Sequence, residues 1–232
     1  MGKIYYVMGK SASGKDTIYK RLVKELPELG TVRMYTTRPI RDGETNGVEY
    51  IFTDEKQLQA MKDAGKVIEC RTYDTIYGPW SYFTADDGQI DLGSGSYLMM
   101  GTLESYEKLC CYYGAEVMVP LYIHVEDGER LQRALNREKT QKVPKYAEMC
   151  RRFLADEKDF AKERLDQRGI RKQYENTGLE PCIEEIIKDI LCNEGKEKQM
   201  LKKIGFIGVG MDSRRINKTG RSLCRKLCPA DL

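Results

Sequence analysis

Glycine and lysine residues near the N-terminus have the spacing of a loop that binds phosphate. Gly9 and Gly14 are five positions apart, and Lys15 follows the second glycine directly. Glycines allow successive backbone N–H groups to turn inward around phosphate oxygens, and the N-terminus of a following helix adds partial positive charge. The lysine of such a loop reaches the terminal phosphates of a nucleotide. We therefore predict a phosphate site formed by Gly9, Ser11, Ala12, Ser13, Gly14, Lys15, Asp16 and Thr17.

The residue after this lysine is unusual. Phosphate loops of this type usually carry serine or threonine there, and the hydroxyl binds Mg²⁺. Here the position holds Asp16, followed by Thr17. A carboxylate is also a hard oxygen ligand that suits Mg²⁺. Thr17 would supply a hydroxyl if the loop were shifted, but the spacing favours Asp16 as the metal ligand.

A second set of residues could bind another phosphorylated molecule. Arg38 and Arg41 are three residues apart, and Tyr50 follows. Two guanidinium groups and a phenol can hold a phosphate monoester by charge-assisted hydrogen bonds, although two arginines alone also suit a solvated loop. Further along, the carboxylate of Glu69 could accept hydrogen bonds from N1–H and the amino group of guanine. Adenine has an acceptor at N1, so this carboxylate would discriminate against it.

The segment from Thr36 to Phe52 resembles the guanylate kinase signature. The Thr-Thr-Arg triplet, the second arginine, Gly-Glu, Asn-Gly and Tyr-x-Phe all occur at the spacing of that family. The resemblance extends from about Ile4 to Leu191. It implies an enzyme that transfers the γ-phosphoryl group of ATP to a nucleoside monophosphate, most simply GMP, with Mg²⁺ as cofactor. The acceptor oxygen is already ionised near pH 7, so this reaction needs no general base.

The resemblance also implies roles for residues elsewhere in the chain. Tyr77 matches a tyrosine that contacts the acceptor phosphate, and Arg137 and Arg152 match two arginines of a lid over the donor. With Lys15, these two arginines would neutralise charge during transfer. Asn176 matches an asparagine near the adenine of the donor.

Three departures from the family concern the acceptor base and the metal. Met34 and Pro79 replace serines, and Gly101-Thr102-Leu103 stands where the family has a strand with two aspartates. We interpret the last change together with Asp16, as a metal-binding carboxylate that has moved from the strand to the phosphate loop. Ribose 1,5-bisphosphokinases are similar in having aspartate after the loop lysine, so they are one alternative. A non-catalytic guanylate-kinase-like interaction module is another, although such modules characteristically lack a working phosphate loop.

The elements that must position these residues follow an α/β pattern. Ile4–Met8 is a short apolar run typical of a buried strand, and helical periodicity begins at Ile18, after the loop. We predict strands at 31–35, 67–70, 97–100 and 117–125 and helices at 53–65, 103–113, 146–165 and 179–191. The predicted fold is a three-layer α/β core with a parallel sheet, whose strand order 2-3-1-4-5 is implied by the resemblance. We expect a kinase-like domain at 1–194, with an acceptor-binding, β-rich insertion at 36–84 and a helical lid at 126–160.

Composition limits the other functions. The 232 residues carry a net charge of +3 and one histidine, which argues against general nucleic-acid binding and excludes a three-histidine metal site. No apolar run approaches the roughly 20 residues that span a bilayer. Eight cysteines without a Cys-x-x-Cys pair favour reduced thiols and a cytoplasmic location. The extension at 195–232 is basic; its role and the oligomeric state remain open, and small nucleotides are the expected partners.

Overall fold

A computed structural model of the chain describes residues 1–41, 43–75 and 78–196. One compact unit spans Met1–Cys182, and a second begins at Ile183. The strands are β1 Ile4–Met8, β2 Gly30–Thr31, β3 Tyr35–Thr36, β4 Ile51–Phe52, β5 Val67–Thr75, β6 Gly78–Ala85, β7 Tyr97–Met100, β8 Met118–His124 and β9 Gln173–Glu175. The helices are α1 Lys15–Glu25, α2 Glu55–Asp63, α3 Leu103–Tyr113, α4 Asp127–Lys139, α5 Tyr146–Asp159, α6 Lys162–Gln167 and α7 Leu179–Asn193.

The larger sheet is parallel and has the order β2-β7-β1-β8-β9. Numbered by their own succession along the chain, these five strands read 2-3-1-4-5, so the predicted α/β fold and its strand order are confirmed. All five residues of β1 are buried, as expected for the central strand of a sheet covered on both faces. The chain leaves β1 at Gly9 and β7 at Gly101, so both segments lie at the carboxyl edge, where ligands of such sheets bind.

A smaller sheet of order β4-β3-β6-β5 forms a separate layer with α2. Its strands β5 and β6 are an antiparallel pair, and Phe83 on β6 packs with Tyr35 and Leu58 in a small core of its own. A register shift after Val67 brings Glu69 opposite Thr84. Such a bulge re-aims the side chains that follow it, and here it directs Glu69 to the buried face.

Two predicted elements are divided in the structure. The strand expected at 31–35 is split, because Thr31 pairs with Leu98 in the large sheet whereas Tyr35 pairs with Phe83 in the small one. The helix expected at 146–165 ends at Asp159, and α6 follows as a separate turn. The break lies at Phe160, whose buried ring stacks on Tyr122 with 5.5 Å between centroids.

The second unit is described as far as Lys196. In it Ile183, Ile186, Ile190 and Leu191 are buried, at the spacing of one face of the helix predicted at 179–191. The basic extension lies almost entirely outside the described residues. Across 1–41, 43–75 and 78–196, none of the helices has both the length and the apolar character that crossing a bilayer requires.

Candidate active site

The phosphate loop joins β1 to α1, as the glycine spacing predicts. Gly14 precedes the first residue of α1 with a φ of 86°, a conformation that favours glycine. A Cβ atom at Gly14 would lie 2.5 Å from the amide nitrogen of Asn176, so the position has no room for a side chain. Asn176 is buried and donates from this nitrogen to the carbonyl of Ser13 at 2.8 Å. Asn176, 163 residues further along the chain than Ser13, therefore stabilises the shape of the loop.

Two further features of the loop suit an anion. Ala12 has a φ of 63°, and one left-handed residue in a turn of this kind directs neighbouring backbone N–H groups to one side. The hydroxyl of Ser13 is buried and has no hydrogen-bond partner among the described residues. A buried hydroxyl without a partner is costly. A phosphate oxygen in the loop would offer it one.

Lys15, Asp16 and Thr17 lie in the first turn of α1. The ammonium of Lys15 is 4.0 Å from the carboxylate of Asp16, and the Asp16 side chain is 71% exposed. Thr17 is also exposed. An accessible carboxylate beside the loop lysine suits a cation that also binds phosphate, so Asp16 remains our predicted Mg²⁺ ligand. The described residues contain no cluster of three or more histidine, cysteine or acidic side chains suited to a metal.

Acidic residues of α5 contact this loop directly. The backbone N–H of Ser11 donates to the carboxylate of Asp156 at 2.7 Å. The ammonium of Lys10 lies 2.7 Å from the carboxylate of Glu157 and 3.4 Å from that of Asp127. One backbone donor of the phosphate loop therefore already holds an anionic oxygen, which is supplied by the chain itself.

Arg130, on α4, joins these acids together. Its guanidinium lies within 2.7–3.4 Å of carboxylate oxygens of Asp127, Asp156 and Glu157. It also donates to the carbonyl of Ser11 at 3.3 Å and its side chain is only 2% exposed. Sequence reasoning missed Arg130 because an arginine on a charged helix most often faces solvent. A signal was available: Arg130 is followed by Ala134 at helical spacing, on the face that packs inward.

A cleft between α4 and α5 opens beside the phosphate loop. Ser11, Arg137, Arg152 and Phe153 are among its lining residues. The two arginines predicted for the lid are thus brought together next to the loop, and both are exposed. Arg152 donates to Glu148 at 2.7 Å. Arg151 and Arg152 hold the pKa of Glu148 at about 2, below its usual value near 4.5.

The loop after β3 holds Arg38 in a closed arrangement. The Arg38 guanidinium donates two hydrogen bonds to the carboxylate of Glu44, at 2.6 and 2.7 Å, and its side chain is 3% exposed. The Arg38 guanidinium also lies 5.3 Å from the ring centre of Tyr50. The backbone N–H of Arg41 donates to the same carboxylate at 2.9 Å. These contacts, Arg38 first, lower the pKa of Glu44 to about 2. Binding of a phosphate by Arg38 stays a prediction, and Arg41 is the more accessible of the pair.

Tyr50 lies beside Arg38 and is also within electrostatic range of Asp16. Its pKa is raised, mainly by burial and then by Tyr82. Arg38 and Arg71 oppose this rise, whereas the charge of Asp16 adds to it. The charge of Asp16 is therefore near enough to act on the phenol of Tyr50. We name residues 9–17 with α4 and α5 the donor half, and residues 34–50 with β5 and β6 the acceptor half.

Glu69, the predicted reader of the base, is fully engaged within the chain. One carboxylate oxygen accepts from the Nε of Arg71 at 3.0 Å, and the other accepts from the hydroxyl of Thr84 at 2.9 Å. Its side chain is completely buried. Arg71, which sequence reasoning missed, also donates to the hydroxyl of Thr102 at 3.0 Å. That hydroxyl accepts from the N–H of Ser105 as well and so caps α3.

Tyr77, the remaining predicted acceptor residue, lies outside the described residues. The structure therefore places Lys15 and Asp16 at the start of α1, with Arg137 and Arg152 in the cleft beside the phosphate loop. It brings Arg38, Arg41 and Tyr50 together in the loop after β3. Glu69, on β5, is buried and already paired with Arg71 and Thr84. The strand predicted at 67–70 ends before Arg71, so the pairing of Arg71 with Glu69 was not foreseeable. In the structure β5 extends to Thr75, and a spacing of two along it puts both residues on one face.

Comparisons with known proteins agree with the resemblance seen in the sequence. The family model described as guanylate kinase matches residues 1–81. The guanylate kinase of Legionella pneumophila strain Lens is 37% identical over 78 residues, which is 33% of this chain and 37% of that protein. The guanylate kinase of Coxiella burnetii strain RSA 493 is 38% identical over 76 residues, 32% of this chain and 37% of that protein. The matched part of the chain thus spans little more than a third of these relatives.

The likeness in fold covers more of the chain than the likeness in sequence. The crystal structure of guanylate kinase from Anaplasma phagocytophilum superposes with a TM-score of 0.56 and covers 83% of this chain and 86% of that one, at 17% identity. The predicted resemblance to guanylate kinases is therefore confirmed in sequence over the N-terminal third, and the predicted fold over most of the chain. The sequence match includes the phosphate loop and the arginine pair, and ends before the lid.

Proposed function

We propose that this chain, similar to the guanylate kinases in its N-terminal third, transfers the γ-phosphoryl group of ATP to a nucleoside monophosphate. GMP is the acceptor that the resemblance favours. The observation that carries the proposal is the phosphate loop between β1 and α1, where Gly14 has no room for a side chain and the buried hydroxyl of Ser13 has no partner among the described residues. The loop after β3, with Arg38 beside Tyr50, supplies a second set of groups suited to phosphate. One loop suits a triphosphate and the other suits a phosphate monoester.

The donor half would hold ATP by its backbone. The N–H groups of the loop, the unpartnered hydroxyl of Ser13 and the N-terminus of α1 are donors to phosphate oxygens. Lys15 adds a mobile positive charge. Asp16 would hold Mg²⁺, which when bound neutralises negative charge on the phosphoryl group. Arg137 and Arg152 line the adjacent cleft and are placed to stabilise charge as the group transfers.

The acceptor half would orient the second substrate. Arg41 and Tyr50 would bind its phosphate, and Arg38 would join them by exchanging one hydrogen bond with Glu44 for a phosphate oxygen. The attacking atom is an ionised phosphate oxygen, so the site has to align it rather than deprotonate it. Such a transfer needs no histidine as a general base.

Release of ADP from Mg·ATP tests the proposal. The acceptors offered one at a time are GMP, other nucleoside monophosphates, ribose 1,5-bisphosphate and buffer alone. We expect release that depends on a nucleoside monophosphate. Equal release with every acceptor and with buffer would overturn the proposal.

Variants at the predicted metal ligand test the donor half separately. Asp16→Ala should abolish turnover that depends on Mg²⁺. Asp166→Ala, at an exposed position of α6, is the matched control and should leave turnover unchanged. Near-normal activity of Asp16→Ala would reject Asp16 as the ligand while leaving the proposed reaction in place.

A further inference from the structure

We propose that Arg71 determines the base specificity of the acceptor half. It replaces the carboxylate of Glu69 as the group facing the base, so that the site accepts 6-oxopurine nucleoside monophosphates through O6 without selecting the 2-amino group. This inference rests on the proposed function and specifies its substrate class. GMP and IMP would then be comparable substrates.

Both carboxylate oxygens of Glu69 accept hydrogen bonds inside the protein. Arg71 and Thr84 donate to them at 3.0 and 2.9 Å, and a second nitrogen of Arg71 lies at 3.5 Å. The side chain is 0% exposed. The remaining lone pairs of these oxygens are therefore out of reach of a base unless Arg71 moves away. A buried guanidinium left without its carboxylate is strongly unfavourable.

Arg71 has N–H groups that are not committed to Glu69 or Thr102. A guanidinium carries five N–H groups. Nε donates to Glu69, one N–H of Nη1 donates to Thr102, and Nη2 has Glu69 at 3.5 Å and the sulfur of Met34 at 3.8 Å. A thioether is a weak acceptor. One N–H of Nη1 and the N–H facing Met34 can therefore turn to a carbonyl oxygen without disturbing the ion pair.

Two contacts of Arg71 place its donors beside the acceptor half. Nη2 lies 3.8 Å from the sulfur of Met34, the first residue of that half, and Nη1 donates to the hydroxyl of Thr102, which follows β7 at the carboxyl edge of the large sheet. The Arg71 side chain is 7% exposed, whereas that of Glu69 is 0% exposed. Of the two, Arg71 is therefore the residue that a ligand at this edge can reach.

The chemistry of the bases then fixes the class. Guanine and hypoxanthine both present O6, an acceptor, to a guanidinium, and they differ at position 2 by an amino group that Glu69 can no longer reach. Adenine presents an amino group at position 6, so two donors would meet. The Arg71–Glu69 pair carries no net charge. If the acceptor had a second phosphate in place of a base, this pair would offer it no excess positive charge.

Steady-state kinetics with Mg·ATP and GMP, IMP or AMP tests the inference on the unmodified chain. We expect kcat/KM for GMP and IMP to agree within about tenfold, and AMP to be about 10- to 100-fold poorer, the factor typical of losing one hydrogen bond to a charged group. A preference for GMP over IMP greater than about 100-fold would overturn the inference and leave the proposed function intact. ADP release with none of the three, nor with any other nucleoside monophosphate, would overturn both.

Arg71→Ala sharpens the test by exposing Glu69 to the base. The ratio of kcat/KM for GMP to that for IMP should rise by about 10- to 100-fold, because the carboxylate can then accept from the amino group. Arg71→Lys, which keeps a donor and a charge, should retain the ratio of the unmodified chain. Comparison of the two ratios also separates a specificity role from a structural one, since poor folding lowers activity with both substrates alike. An unchanged ratio in Arg71→Ala would contradict the proposal.

Discussion

The donor and acceptor halves both satisfy their binding groups with the chain's own charges, but from different distances. In the acceptor half Arg38 pairs with Glu44 six residues away, and Arg71 pairs with Glu69 two residues away. In the donor half the N–H of Ser11 finds its partner, Asp156, 145 residues further along the chain. One half is closed by local contacts and the other by a distant helix.

The local pairs preorganise the acceptor half, whereas the contact at the phosphate loop depends on where α5 lies. Local pairs form whenever their strand or loop forms, because little chain has to be ordered to bring the partners together. The contact of α5 with the phosphate loop depends on the position of a whole helix, which lies in the region that we predict to be a lid, and enzyme lids move when substrate binds. We therefore expect substitutions in the acceptor half to alter substrate affinity, and those in the donor half to alter turnover or the docking of α5.

The largest expected effect is at Lys15. Lys15→Met should lower kcat by about 10²- to 10³-fold, the cost of removing one preorganised positive group from a transferring phosphoryl site. Arg41→Met should instead raise KM for the acceptor with a smaller change in kcat. Lys20→Met, on the exposed face of α1, is the control for loss of charge. Equal kcat effects at Lys15 and Arg41 would remove the distinction between the halves.

Arg130 should have the largest effect on stability. Arg130→Met leaves three carboxylates without their shared cation, and should lower the free energy of unfolding by about 2–3 kcal/mol. This is below the 3–5 kcal/mol of a fully buried pair, because the partner carboxylates are partly exposed. Urea denaturation measures it. The double variant Arg130→Met/Asp156→Asn should recover part of the loss, and strictly additive losses would show that the two groups are not coupled.

The candidate residues of the acceptor half could be picked out from the sequence because they are close together in the chain. Arg38, Arg41 and Tyr50 lie within thirteen positions, and they suggest a phosphate clamp once they are seen within the whole signature from Thr36 to Phe52. Their binding of phosphate stays a prediction. The apolar run of β1 and the glycine spacing likewise fixed the strand, loop and helix of the donor half. Local pattern therefore determined the elements and most of the groups that would touch phosphate.

Partners from distant parts of the chain were not predictable. Nothing in the helical pattern of α5 marks Asp156 and Glu157 as neighbours of the phosphate loop, since acids on a charged helix are usually solvated. The split of the strand expected at 31–35 also depends on two different sheets. Arg71 is the intermediate case: strand alternation places it beside Glu69, but its burial depends on how β5 packs against α3.

A smaller effect is expected where the chain's own anion occupies the phosphate loop. Asp156→Asn retains an oxygen for the N–H of Ser11 but removes a negative charge near the triphosphate site. The Kd for ATP should fall by about five-fold, corresponding to roughly 1 kcal/mol of repulsion between partly solvated charges. Calorimetric titration measures it, with Asp159→Asn on the same helix as control. An unchanged or weaker affinity would mean that Asp156 supports the loop rather than competing with the nucleotide.

The smallest expected effect is on the stability of the folded chain in acid. It should differ between the acceptor loop and α5. Glu44 and Glu148 both have a folded pKa of about 2, against about 4.5 when unfolded. Because the folded pKa is depressed, each carboxylate stabilises the folded chain above pH 4.5, and this stabilisation is lost as the pH falls toward 2. Hydrogen exchange between pH 5 and pH 3 should show the acceptor loop losing protection, and Glu44→Gln should flatten that dependence there while leaving α5 unchanged. Glu148→Gln should do the reverse, since its partners Arg151 and Arg152 lie on α5. If either substitution changed both regions equally, acid would act on the molecule as a whole, and the local pairing inferred for the acceptor half would be wrong.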